Sequence, residues 1–117
     1  MKKQKGFSLI ELLIVVAIIL IIAAIAIPNL LRARIAANES SAVSSLRTIN
    51  TAEVSYTTAY PTVGYSANLV SLGPGGVNAV CAAPTSTVAC LLDGVLASGT
   101  KSGYLFTVTP TAGAGGL

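Results

Sequence analysis

A chain of 117 residues suffices for one small domain, but a large share of its 53% hydrophobic content lies in the first quarter, which leaves a short remainder with a thin core. The formal net charge of +3 rests on Lys2, Lys3 and Lys5; cut before Phe7, the chain would set Arg32, Arg34, Arg47 and Lys101 against Glu11, Glu39, Glu53 and Asp93, with no basic stripe left to bind nucleic acid. Histidine is absent and the carboxylates are scattered, so no catalytic base, paired-carboxylate site or metal-ligand set can be assembled, and neither an enzyme nor a cofactor is expected.

The first element is "KKQKGFSLIELLIVVAIILIIAAIAIP", positions 2–28. Phe7 to Ile27 meets the length of a membrane-spanning helix, which takes roughly 20 apolar residues at about 1.5 Å each. A secretory signal peptide also starts basic and turns apolar, and Ala24-Ile25-Ala26 fits a small-x-small cleavage pattern. Against it stand the length of the run, the acid Glu11 inside it, and helical sequence continuing past Pro28. Taken alone, Glu11 reads as a residue near the membrane interface that reaches water or stays protonated. The lysines ahead of the run favour a cytoplasmic amino terminus.

The run Lys5-Gly6-Phe7-Ser8-Leu9-Ile10-Glu11-Leu12-Leu13 resembles the class III signal of type IV pilins and of the related pseudopilins of type II secretion. The close resemblance covers roughly the first 50 positions. It implies that a prepilin peptidase cuts between Gly6 and Phe7 and methylates the new amino terminus of Phe7. Glu11 then becomes the fifth residue of the mature protein. Glycine suits the cut, because without a Cβ it lets a protease approach the backbone closely. The freed amine of Phe7 would be cationic and, in a stack of identical helices, could lie beside a neighbour's Glu11. An unpaired buried acid costs several kcal/mol, so Glu11 would penalise wrong registers.

Ala23, Ala24 and Ala26 form a small-residue patch at which helices can approach closely. Pro28, which falls where the family commonly has a helix-kinking proline, removes one backbone hydrogen bond and is expected to kink or locally melt the helix; the other reading is a fresh helix start. From Asn29 to about Tyr60 an amphipathic helix is expected, with Ile35, Ala42, Leu46, Ile49, Tyr56 and Tyr60 on the packed face and Ser45 off it. Glu53 interrupts that stripe, and Thr51, Thr57 and Thr58 weaken the helix near its end. Arg32 and Arg34 read as solvated charge or as contacts to lipid head groups. Asn38-Glu39-Ser40 matches a glycosylation sequon, inside helical sequence.

From Pro61 the chain reads as loops and short strands punctuated by glycine, with Gly103-Tyr104-Leu105-Phe106-Thr107-Val108-Thr109 as the clearest strand. The expected fold is α+β: a long amino-terminal helix, membrane-spanning in its first half, packed on a small antiparallel sheet, as the family resemblance also implies. The division expected is leader 1–6, membrane or filament-core helix 7–28, amphipathic helix 29–60 and head 61–117. Cys81 and Cys90, the only cysteines, would form a disulfide in an exported head. The chain ends in Gly113-Ala114-Gly115-Gly116-Leu117, where family members usually continue into further strands. A minimal pilin, a truncated sequence and strands supplied from elsewhere are the three readings of that end.

Function follows from the motif. The first expectation is a structural subunit that polymerises with itself into a type IV pilus for adhesion and motility, handled by prepilin peptidase and the assembly machinery. The precursor would sit in the inner membrane with its head outside. The alternative is a major pseudopilin of type II secretion, and a third is a monomeric single-span protein with a ligand-binding head. The third leaves Gly6, Phe7 and Glu11 without a reason.

Overall fold

The computed structural model describes residues 3–110. Its fold is α+β: helix α1 (Leu9–Ala59), two one-turn helices α2 (Leu69–Leu72) and α3 (Gly94–Ala97), and a hairpin of β1 (Thr100–Lys101) and β2 (Tyr104–Leu105). The backbone falls into two compact units, Met1–Ala37 and Asn38–Leu117.

In the first unit every described residue except Ala23 is exposed. The helix continues through Pro28. Proline's missing N–H leaves the carbonyl of Ala24 without its intrahelical donor, yet the turns on either side keep their helical assignment and no melted segment separates them.

In the second unit the buried face of α1 is Ala42, Ser45, Ile49, Ala52 and Tyr56, alternating steps of three and four. The face expected from hydrophobicity needs correction at Leu46, which is 52% exposed, while Ser45 beside it is buried. Choosing between neighbours rotates the packing face by about 100°. The head takes the side lined by Ala42, Ser45 and Ala52, whose short side chains let its backbone come close. Ile35, also expected on the packed face, belongs to the first unit and is exposed. Near the helix end the hydroxyls of Thr51, Ser55 and Thr58 donate to the carbonyls of Arg47, Thr51 and Val54, at 3.0 Å each. Those residues thus satisfy themselves within the helix, which stops at Ala59, just before Pro61.

Leu72 and Leu96, at 0% and 1% exposure, bring α2 and α3 into the core around Tyr56. Burying side chains of this size contributes about 1.5–3 kcal/mol each. Both short helices are capped by side chains: Asn68 Oδ1 accepts from the Ser71 N–H at 2.9 Å, and Asp93 Oδ2 from the Leu96 N–H at 3.3 Å. The helices touch where two glycines leave room. A Cβ on Gly73 would run into the Cβ of Ala97, and one on Gly94 would lie 2.5 Å from the carbonyl oxygens of Gly76 and Val77. The loops-and-strands expectation for this region missed both helices.

The expected strand over 103–109 shrinks to Tyr104–Leu105, paired antiparallel with Thr100–Lys101 in the register Thr100 to Leu105 and Lys101 to Tyr104. Ser102 and Gly103 take φ of 53° and 80°, the positive values that a two-residue hairpin turn with the right twist requires. Past Leu105 the Phe106 N–H donates to Gly99 at 2.6 Å, and among the described residues no strand pairs with Thr107–Thr109. Ser102 also meets α1, its hydroxyl 3.0 Å from that of Ser41. Residues 111–117, on which the reading of the glycine-rich end rested, lie outside the described residues.

The centre of the head is Tyr56, 1% exposed, whose phenol donates to the Ser86 carbonyl at 2.6 Å and whose ring centroid lies 5.0 Å from that of Tyr60. Burial, then the neighbouring Tyr60 and Glu53, raise the phenol's pKa above its ordinary 10.0. A folded pKa above the unfolded one means that the folded protein holds its proton longer, so stability present below pH 10 falls as the pH rises through the folded value. Tyr56→Phe should cost about 1 kcal/mol at neutral pH, for the lost hydrogen bond and the stranded carbonyl. The loss measured between pH 9.5 and 11 should be smaller in that variant than in the parent; urea unfolding followed by near-ultraviolet circular dichroism reads both.

Candidate processing and assembly segment

Lys3, Lys5, Gly6 and Phe7 lie in non-helical, exposed chain ahead of α1. Gly6 has open space around it, with nothing within 4 Å of a Cβ placed there, and Phe7 is 94% exposed. The bond between them is therefore accessible on all sides, as a protease substrate must be. Met1 and Lys2 of the expected leader lie outside the described residues.

The helix begins two residues past Phe7 for a reason written in the sequence. Ser8-Leu9-Ile10-Glu11 has the spacing of a capping box, and the Glu11 carboxylate reaches back so that Oε2 accepts the Ser8 N–H at 3.0 Å. The Ser8 carbonyl receives the Leu12 N–H at 3.3 Å and so opens the helical ladder. Glu11 thus has a local use within its own chain, which its reading as a lone acid in an apolar helix did not foresee. The serine-to-glutamate spacing was the available signal. An acid in the first turn also meets the positive end of the helix dipole.

From Leu9 onward α1 is long and apolar enough to cross a membrane, and none of its most apolar stretch is buried. Leu9, Ile10, Ile25 and Ile27 are each more than half exposed. Pro28 lies inside the helix, within this same unit.

The remaining sequence-derived site, Cys81 and Cys90, lies in the other unit. The two are disulfide-bonded with Cα atoms 6.0 Å apart. Sequence reasoning missed a second tie in that unit. Glu53 turns both carboxylate oxygens to Ser66, accepting the N–H at 3.0 Å and the hydroxyl, and thereby fastens the loop after α1 to the helix. Its place as an interruption of the apolar stripe was the visible sign; the serine partner, 13 positions on, was not. Beside it runs an open, largely apolar groove of about 1230 Å³, walled by Leu46 and Val54 of α1 and by Tyr65, Tyr104 and Leu105. Among the described residues no cluster of histidine, cysteine, aspartate or glutamate could hold a metal.

Comparison with known families finds the prokaryotic N-terminal methylation motif over residues 1–27. The chain is 65% identical over 40 residues to the type IV wide pilus major component PilA4 of Thermus thermophilus, and 48% identical over 54 residues to the type IV major pilin protein PilA of Myxococcus xanthus. Over part of its length the chain is homologous to type IV pilins. The two stretches cover 34% and 46% of this chain, and 30% and 24% of those relatives. No solved structure matches. The methylation motif encloses the exposed Gly6-Phe7 junction, the Ser8–Glu11 cap and the apolar turns that follow, so the pilin resemblance and the geometry coincide on one segment.

Replacing Glu11 with Ala should leave the Ser8 amide without its acceptor and cost the first turn about 0.5–1 kcal/mol, while Gln, which keeps an acceptor oxygen, should lose less. Amide exchange at Ser8 in detergent micelles should therefore quicken most in Ala and least in the parent.

Proposed function

We propose that this chain is the precursor of a structural subunit that polymerises into a type IV pilus. The observation that carries the reading is the methylation motif over residues 1–27 lying on an apolar helix with no buried face of its own. A helix of that kind needs cover. A bilayer supplies it before assembly, and the same helices of other copies supply it afterwards, where van der Waals packing at Ala23, Ala24 and Ala26 replaces contact with lipid.

In this reading a prepilin peptidase removes residues 1–6 by cutting between Gly6 and Phe7, and Phe7 becomes the N-methylated first residue. Cleavage creates a cation at Phe7, and Glu11 is the acid within the apolar segment available to pair with it in a neighbouring subunit. One Glu11 oxygen holds the Ser8 N–H, which leaves Oε1 for that amine. Pro28 supplies a point at which the helix can bend as subunits pack. The precursor lies in the inner membrane with Lys3 and Lys5 on the cytoplasmic side and the head exported, where the Cys81–Cys90 disulfide is stable. The protein works as a polymer, with itself, the peptidase and the assembly machinery as partners, and not as an enzyme. The relatives, named as a pilus major component and a major pilin, favour a pilus over a secretion pseudopilus.

The test combines electron microscopy of sheared filaments with amino-terminal mass analysis. Filaments whose subunits begin at a methylated Phe7 are expected. A bulky residue at Gly6 should leave unprocessed precursor in the membrane, and normal cleavage in that variant would overturn the assigned cut. Glu11→Ala should be cleaved and inserted yet yield few filaments, so abundant normal filaments would refute the pairing.

A further inference from the structure

The chain between α2 and α3 is held very unevenly. On its carboxyl side the Ala89, Cys90, Leu91 and Leu92 N–H groups all donate to carbonyls of Ser71, Leu72 and Gly73, at 2.7–3.2 Å. Ser86 is fastened by Tyr56 at 2.6 Å. On the amino side Gly76 and Val77 press against Gly94. Between these anchors lies 78–84, exposed at every residue, with Val80 at 89%. The Ala79 N–H donates to Gly76 at 3.2 Å, and among the described residues no other hydrogen bond reaches this stretch. Apart from its own backbone at either end, the covalent tie of this stretch to the rest of the head is the bond from Cys81 to Cys90.

We infer that Cys81–Cys90 is a redox-operated latch for a strap, residues 78–84, and not a support for the head as a whole. The half of the disulfide on the strap is exposed, while Cys90 is half-buried and held by its own backbone bond to Gly73. A small dithiol opens the latch in two steps. Its thiolate attacks Cys81 Sγ, the S–S bond breaks, and Cys90 leaves as a thiolate that takes up a proton. The second thiol of the reagent then closes on the mixed disulfide and releases Cys81 as a thiol. The protein disulfide gains two electrons and the dithiol becomes a cyclic disulfide. The strap then swings from Val77 to Thr85, whereas Ser86 to Leu92 stays docked, because its hydrogen bonds to Ser71, Leu72, Gly73 and Tyr56 survive the loss of the S–S bond. The inference does not depend on how the chain assembles.

The full-length protein in detergent micelles, with and without dithiothreitol, tests it. An elastase-type protease, which cuts after small apolar residues, should cleave after Val80 or Ala82 at least about tenfold faster once the disulfide is reduced, as expected when a local tie is lost. Amide exchange at Ala89, Cys90, Leu91 and Leu92 should keep its protection. The double variant Cys81→Ser, Cys90→Ser should behave without reductant as the parent does with it. Unchanged cleavage on reduction would overturn the latch, and so would loss of protection at 89–92 together with α1 around Tyr56, since the disulfide would then be supporting the whole head.

Discussion

From Phe7 to Ile27 the chain carries a single ionisable side chain and buries almost nothing against itself. Water cannot host such a helix at a tolerable cost. Burial of apolar area contributes about 25 cal/mol per Å², so an exposed segment of this length is a strong demand for a covering medium. The position of the cut site, the placement of the acid and the small size of the head are all compatible with that demand, and none of them removes it. The head has its own core around Tyr56, Leu72 and Leu96.

The head faces the opposite difficulty, too little apolar mass. It meets this with close approach and with individual ties. Ala42, Ser45 and Ala52 keep the packed side of α1 low, and Gly73 and Gly94 let backbones touch. Three polar fastenings then hold loops to the helix: Glu53 on Ser66, Tyr56 on Ser86, and Ser41 against Ser102. Each joins α1 to a different later segment. A small domain that cannot rely on area relies on such specific contacts.

The sequence made some of this legible and hid the rest for physical reasons. The apolar helix, the motif around Gly6 and Phe7, and the pairing of Cys81 with Cys90 follow from patterns with few alternatives. The packing face of α1 does not. In a helix of Ala, Ser and Thr, hydrophobicity differs little from side to side, and Leu46 is a stronger signal than Ser45 although the smaller residue goes inward. The one-turn helices were hidden for a similar reason, since Leu69–Leu72 and Gly94–Ala97 are too short to show a period. Glu53 was visible only as a blemish in the stripe until Ser66 supplied its meaning. At Glu11 two spacings overlap: its distance from Phe7 and, as regular, its distance from Ser8, whose N–H it holds.

That last contact bears on what removal of the leader would require. The Ser8 N–H already lies on Glu11 while residues 3–7 are still attached, so the first turn of α1 is complete in the uncut chain. On the proposed reading the peptidase trims a tail from a finished helix. No turn has to wind or unwind when the bond after Gly6 breaks, and the new terminus at Phe7 emerges next to a carboxylate already fixed in place. Processing would then change the charge of the subunit without changing its shape.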